Sequence, residues 1–151
     1  MLGLLREVRR MRGAGRDVRV LAFDVASTGG TGSGDRDAQM ATRVAQARAQ
    51  TPSEPMVLLV GNIHATRRLK IPRSMVWNLV KQGVALKTLN VASSGGTAWM
   101  CGSTCGVEHL SGEDLGPEPR VLETPEAVDA GYDGLWYVGP TTAAPPAWKK
   151  P

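Results

Sequence analysis

A chain of 151 residues, 42% hydrophobic and 21% charged, has room for one core and falls outside the wholly disordered class. Aromatic residues make up only 5% of it, so that core has to be aliphatic. The net charge of +4 suits a polyanion, but Arg6, Arg9, Arg10, Arg12, Arg16 and Arg19 lie on a solvated helix and strand start with no aromatic platform among them. That pattern argues against nucleic acid as a partner. No apolar run approaches the roughly 18 to 20 residues that a transmembrane helix needs. Nor is there a signal-peptide pattern, because Leu5 is followed at once by Arg6 and Glu7.

In chain order, Leu4, Leu5, Val8 and Met11 share one helical face, and Gly13 and Gly15 stop that helix. Val18 to Phe23 is a short apolar run that predicts a buried strand ending at Asp24. Ser27 to Gly34 reads as a loop, after which Asp35 is placed to cap a second helix with Met40, Val44 and Ala47 facing inward. Met56 to Val60 predicts a second strand, running into Gly61-Asn62-Ile63-His64. Pro72 suits the first turn of a third helix with Met75, Val76, Leu79 and Val80 on its apolar face, closed by Gly83. Ala85 to Val91 predicts a third strand. Beyond it, Ser93 to Gly106 reads as a Gly/Ser-rich loop, Gly134 to Val138 as a further strand, and Pro140 to Pro151 as an extended tail.

The expected fold class is therefore α/β: a parallel sheet, mixed at the edge, with helices on both faces. Residues 1–139 would form one domain and 140–151 the tail. In such a sheet ligands bind outside the carboxyl ends of the strands. That rule gathers Asp24, Arg36, Asp37, His64 and the Ser93 to Thr97 turn on one edge. His64 is a candidate general base near neutral pH, or a metal ligand, set against a loop histidine bonded to backbone. Asp37 complements a helix dipole. Arg36 is unfavourable at that end and calls for an anionic group or a partner such as Asp24. His109 reads as surface. The glycines from Gly29 to Gly34 lack both P-loop and dinucleotide-binding spacing, and no Gly-x-Ser-x-Gly elbow nominates a serine nucleophile. Cys101 and Cys105 share one loop at a spacing that allows a local disulfide or two free thiols, and supplies no zinc site.

Three segments, in order, resemble the superfamily of erythromycin esterases, ChaN-like haem-uptake lipoproteins and TIKI-type proteases. Arg36-Asp37-Ala38-Gln39-Met40-Ala41 resembles a family helix start, and Met56 to Ala65 a strand ending in a Gly/Asn-x-His turn. Gly131-Tyr132-Asp133-Gly134 through Pro140, with Pro145-Pro146-Ala147, resembles the ending of bacterial members. The family's earlier Gly-Glu-x-His-Gly motif has no counterpart, and a single histidine, His64, stands where erythromycin esterases show two. The resemblance thus covers the C-terminal half of the family domain and implies an incomplete α/β domain.

By that resemblance the chain is expected to be a hydrolase-like, esterase-type domain, weakly active or inactive alone, with His64, Arg36 and Asp37 as catalytic residues. Asp24 and Asn62 would contact a small-molecule substrate or ligand. The alternative is a non-catalytic domain that binds haem or another small ligand; haem or a divalent metal is the cofactor the resemblance implies. Exported family members also imply a bridged Cys101–Cys105 pair and a periplasmic or extracellular setting.

Overall fold

The computed structural model describes residues 2–25, 33–68, 73–101, 103–117 and 119–144. The first helix, α1 (Leu2–Gly13), ends where Gly15 takes a positive φ of 78°. The second, α2 (Ser33–Gln50), is rich in alanine, the residue with the least to lose in a helix. A single turn, α3 (Asn62–Ala65), is followed by α4 (Met75–Lys81), whose first turn is capped by Ser74 accepting the Trp77 N–H at 3.1 Å. Gly83, at φ 76°, ends α4 as its sequence position implies. Pro72, most of the glycine loop and Pro145 to Ala147 lie outside the described residues. So does the side chain of Asp35, which falls within α2 instead of preceding it.

The strands are β1 (Leu89–Ala92), β2 (Gly95–Cys101), β3 (Cys105–Ser111), β4 (Arg120–Leu122) and β5 (Gly134–Tyr137), with the short helix α5 (Pro125–Asp129) between the last two. Thr124 caps α5 and Pro125 opens it, a pairing that needs no tertiary help. Two small sheets result. In one, of order β1-β5-β4, β5 pairs parallel with β1 and antiparallel with β4. The other is the antiparallel hairpin of β2 and β3.

This corrects the expected architecture: helices and strands are mixed, but they do not build a parallel sheet covered on both faces. Val18 to Phe23 and Met56 to Val60 are not strands, and among the described residues their backbones join no ladder. Only the end of the third apolar run, as β1, is paired. The reason lies in what covers each run. Leu58 and Val60 pack against the core, while Val57 is 94% exposed and Leu59 59%. A parallel strand requires a hydrogen-bonded neighbour and cover on both sides, and these runs have cover on one side.

The core itself sits between α2 and α4. Met40, Ala41, Val44, Met75 and Leu79 are fully buried, with Phe23, Leu58, Val60, Val84 and Leu86 packed against them. The inward faces read from the sequence hold at Met40, Val44, Met75, Val76 and Leu79, but Val80 points outward. The expected loop from Ser93 to Gly106 is instead most of the β2–β3 hairpin, in which Cys101 pairs with Cys105 across the ladder and is bridged to it by a disulfide. Alternation there is masked by glycine and serine, which fit a hairpin whose two faces are both largely wet. Thr141 docks on the base of that hairpin, giving its N–H to Gly95 and accepting from Thr97 N–H, so the chain stays attached past Pro140.

Candidate functional site

Three elements converge on one carboxylate. Asp37, in α2, is buried, and its Oδ1 accepts both the His64 Nδ1–H at 2.8 Å and the Met75 backbone N–H at 2.6 Å. The second bond satisfies the first N–H of α4, so Asp37 complements the start of α4 rather than the start of its own helix. His64 reaches it because α3 turns immediately after the Met56–Val60 run, with the His64 N–H bonded to Gly61 C=O. A carboxylate can only accept, so the proton of the neutral imidazole resides on Nδ1 and Nε2 carries the lone pair.

A second pair lies beside the first. Arg36 grips Asp24 with both arms of its guanidinium, Nε to Oδ1 at 2.8 Å and Nη2 to Oδ2 at 2.5 Å. Arg43 adds a bond to the Asp24 carbonyl. The Arg36 hydrogen bond holds the Asp24 carboxyl below its ordinary range, helped by the Val25 N–H and by the charge His64 carries when protonated. Arg36 is raised in turn, chiefly by Asp24, with a smaller contribution from Asp37. The two pairs are thus within electrostatic reach of each other. The arginine that looked misplaced at a helix start has its carboxylate partner.

Asn62 is not part of this pairing. Its side chain accepts the Ile63 N–H, its carbonyl accepts the Tyr132 hydroxyl at 2.9 Å, and the residue is exposed. His109 is exposed on β3, opposite Thr97.

A further cluster involves the segment just after α3. Asp133, just before β5, accepts from Arg67 Nη1 at 2.7 Å and from Thr88 through both its N–H and its hydroxyl. Arg67 also bonds the Leu86 carbonyl. Gly131 makes the approach possible: at φ 85° it brings its backbone so close that a Cβ would lie 2.6 Å from Thr66 Oγ1 and 2.7 Å from the Arg68 nitrogen. Burial pushes the Tyr132 phenol up. Arg67, Arg68, Lys87, Glu123, Asp129, Tyr132 and Asp133 line an open cleft of about 550 Å³ that includes none of Asp24, Arg36, Asp37 or His64. Site reasoning from the sequence passed over this cluster. Its one local signal is an aspartate directly before an apolar strand, too common to single out.

The cofactors suggested by resemblance fit unequally. Among the described residues no three His, Cys, Asp or Glu side chains are gathered so as to hold a metal ion. For haem, His64 offers Nε2 as a ligand nitrogen, with Nδ1 held by Asp37 as second-sphere partners of ligating histidines are. No helix among the described residues is long and apolar enough to cross a membrane. In comparison with known proteins, the chain matches no family model, no curated protein and no solved structure.

Proposed function

We propose that the His64–Asp37 pair is the general base of a hydrolase-type site acting on a small ester, in a domain of the erythromycin esterase and ChaN-like kind. The supporting observation is the 2.8 Å bond from His64 Nδ1 to a buried carboxylate that is itself fixed by the Met75 N–H. An imidazole so oriented keeps one tautomer and one ring plane, and its Nε2 takes a proton from water. The water oxygen bonds to the ester carbonyl carbon, the carbon–oxygen bond to the alcohol breaks, and the alcohol leaves with the proton that His64 returns. Asp37 stabilises the imidazolium in between. Arg36 has guanidinium donors beyond the two given to Asp24, and in this reading they would stabilise the negative charge that develops on the carbonyl oxygen.

A second reading rests on the same bond: an imidazole held through Nδ1 is equally suited to ligate haem iron through Nε2.

The test is hydrolysis of p-nitrophenyl acetate by the purified chain, corrected for free imidazole. Slow turnover is expected, reduced about a hundredfold or to background in His64→Ala and at least tenfold in Asp37→Asn. Equal rates in wild type and His64→Ala would overturn the hydrolase reading. Added haem that gives a Soret shift, lost in His64→Ala, would favour the second.

A further inference from the structure

The first helix is amphipathic, and no other described helix or strand packs over it. On α1, Leu4, Val8 and Met11 lie along one stripe with Leu5 beside them, while Arg6, Arg9 and Arg10 lie opposite and Arg12 flanks the stripe. Leu4 is 51% exposed and Leu5 45%, Val8 and Met11 are half-buried, and α1 makes no sustained packing with any other described helix or strand. Four arginines stand against one glutamate, and that glutamate, Glu7, is engaged by Arg10 at 2.6 Å. Arg6, Arg9 and Arg12 therefore project charge that no acidic side chain of α1 offsets.

From this geometry we infer that α1 lies in the plane of an anionic lipid surface, its leucine stripe among the acyl chains and its arginines at the headgroups. Charge complementary to anionic headgroups is joined on α1 to an apolar face that no other described helix or strand covers, the two components of interfacial helix binding. A second copy of α1 is a poorer occupant, because two helices apposed along this stripe would bring Arg12 and its neighbours together without counter-charge. The stripe is too short to span a bilayer, at 12 residues, but long enough to lie on one. This orientation uses none of the residues around His64 and stands apart from the reading of that site.

Long arginine side chains suit the role further. Their methylene stems cover apolar surface while the guanidinium stays in water, so Arg9 and Arg12 widen the buried stripe as they reach for phosphate.

The experiment is sedimentation of the full chain with two kinds of vesicle, phosphatidylcholine alone and the same lipid with about one third phosphatidylserine. Binding to the anionic vesicles only, released as salt is raised toward about 1 M, is expected. Arg6→Gln with Arg9→Gln should weaken it roughly 25-fold, about fivefold per arginine. Leu4→Ser with Leu5→Ser should abolish it, with the far-ultraviolet circular dichroism of the rest of the chain unchanged. The control is Arg73→Gln with Arg120→Gln, which removes the same charge elsewhere and should change binding less than threefold. The inference fails if the chain ignores anionic vesicles, or if the control pair weakens binding as much as the α1 pair. It also fails if Leu4 and Leu5 turn out to hold a dimer, seen as a sedimentation coefficient that rises with concentration and falls in the double serine variant.

Discussion

Asp37, within α2, and Asp133, just before β5, both tie distant segments together, and they differ in the kind of side chain they hold. Each accepts one backbone N–H, from Met75 and from Thr88, and each accepts from one basic side chain. For Asp133 that side chain is Arg67, always charged and tied at its far end to the Leu86 carbonyl. Both terminal nitrogens of Arg67 are engaged, Nη1 by Asp133 and Nη2 by the Leu86 carbonyl, and the result is a clamp between the segment after α3 and the start of β5. For Asp37 the partner is His64, whose Nδ1 makes the bond and whose Nε2 takes no part in it. One carboxylate thus holds a guanidinium and a backbone N–H through its two oxygens, and the other holds an imidazole ring and a helix start through one.

The largest effect should come from breaking the clamp. Asp133→Ala leaves the Arg67 guanidinium and the Thr88 N–H without their acceptor and is expected to cost about 3 kcal/mol in urea unfolding. Its pH dependence should run as follows. The Arg67 hydrogen bond holds the Asp133 carboxyl below its ordinary value of 3.8, with the Thr88 N–H adding to it. A carboxyl lowered on folding stabilises fully above its unfolded value and loses that contribution as pH falls through the folded one. The gap between wild type and Asp133→Asn should therefore be constant above about pH 5 and shrink below about pH 4.

The matching change at the other carboxylate should be smaller. Asp37→Ala removes the acceptor of the Met75 N–H at the start of α4 and frees His64, with an expected loss of about 2 kcal/mol. His64→Ala, by contrast, should cost under about 1 kcal/mol, because the Met75 N–H still has its acceptor. A loss in His64→Ala as large as in Asp37→Ala would mean that the imidazole is structural, and the contrast drawn above would collapse. The smallest effect belongs to Val57, 94% exposed on the uncovered side of its run. Val57→Ser should shift unfolding by less than about 0.5 kcal/mol, and a loss above 1 kcal/mol would show that this side is covered in solution.

Much of the local structure was legible because it depends on short-range chemistry. Gly13 and Gly15 stop α1, Gly83 stops α4, and the 3.6-residue spacing of Met40 with Val44 and of Met75 with Leu79 marks the two faces that meet. The pairing of Arg36 with a carboxylate followed from the cost of a cation at a helix start. The strands were less legible. An apolar run such as Met56 to Val60 reports a preference for extended backbone, but pairing depends on a neighbour whose position the run does not encode. The β2–β3 hairpin escaped notice for the opposite reason: wet on both faces, it carries no hydrophobic alternation to read.

The sequence by itself determined the helix stops, the α2–α4 contact faces and the extended character of the apolar runs, all set by side-chain spacing and backbone preference within a few residues. Only the tertiary structure decided that Asp37 serves α4 and His64 instead of its own helix, that Arg67 closes on Asp133, and that Cys101 and Cys105 face each other across a hairpin. Those contacts join residues 27, 38 and 66 positions apart in the first three cases. Over such separations a hydrogen bond depends on how packed elements orient two side chains, and no local pattern specifies that orientation.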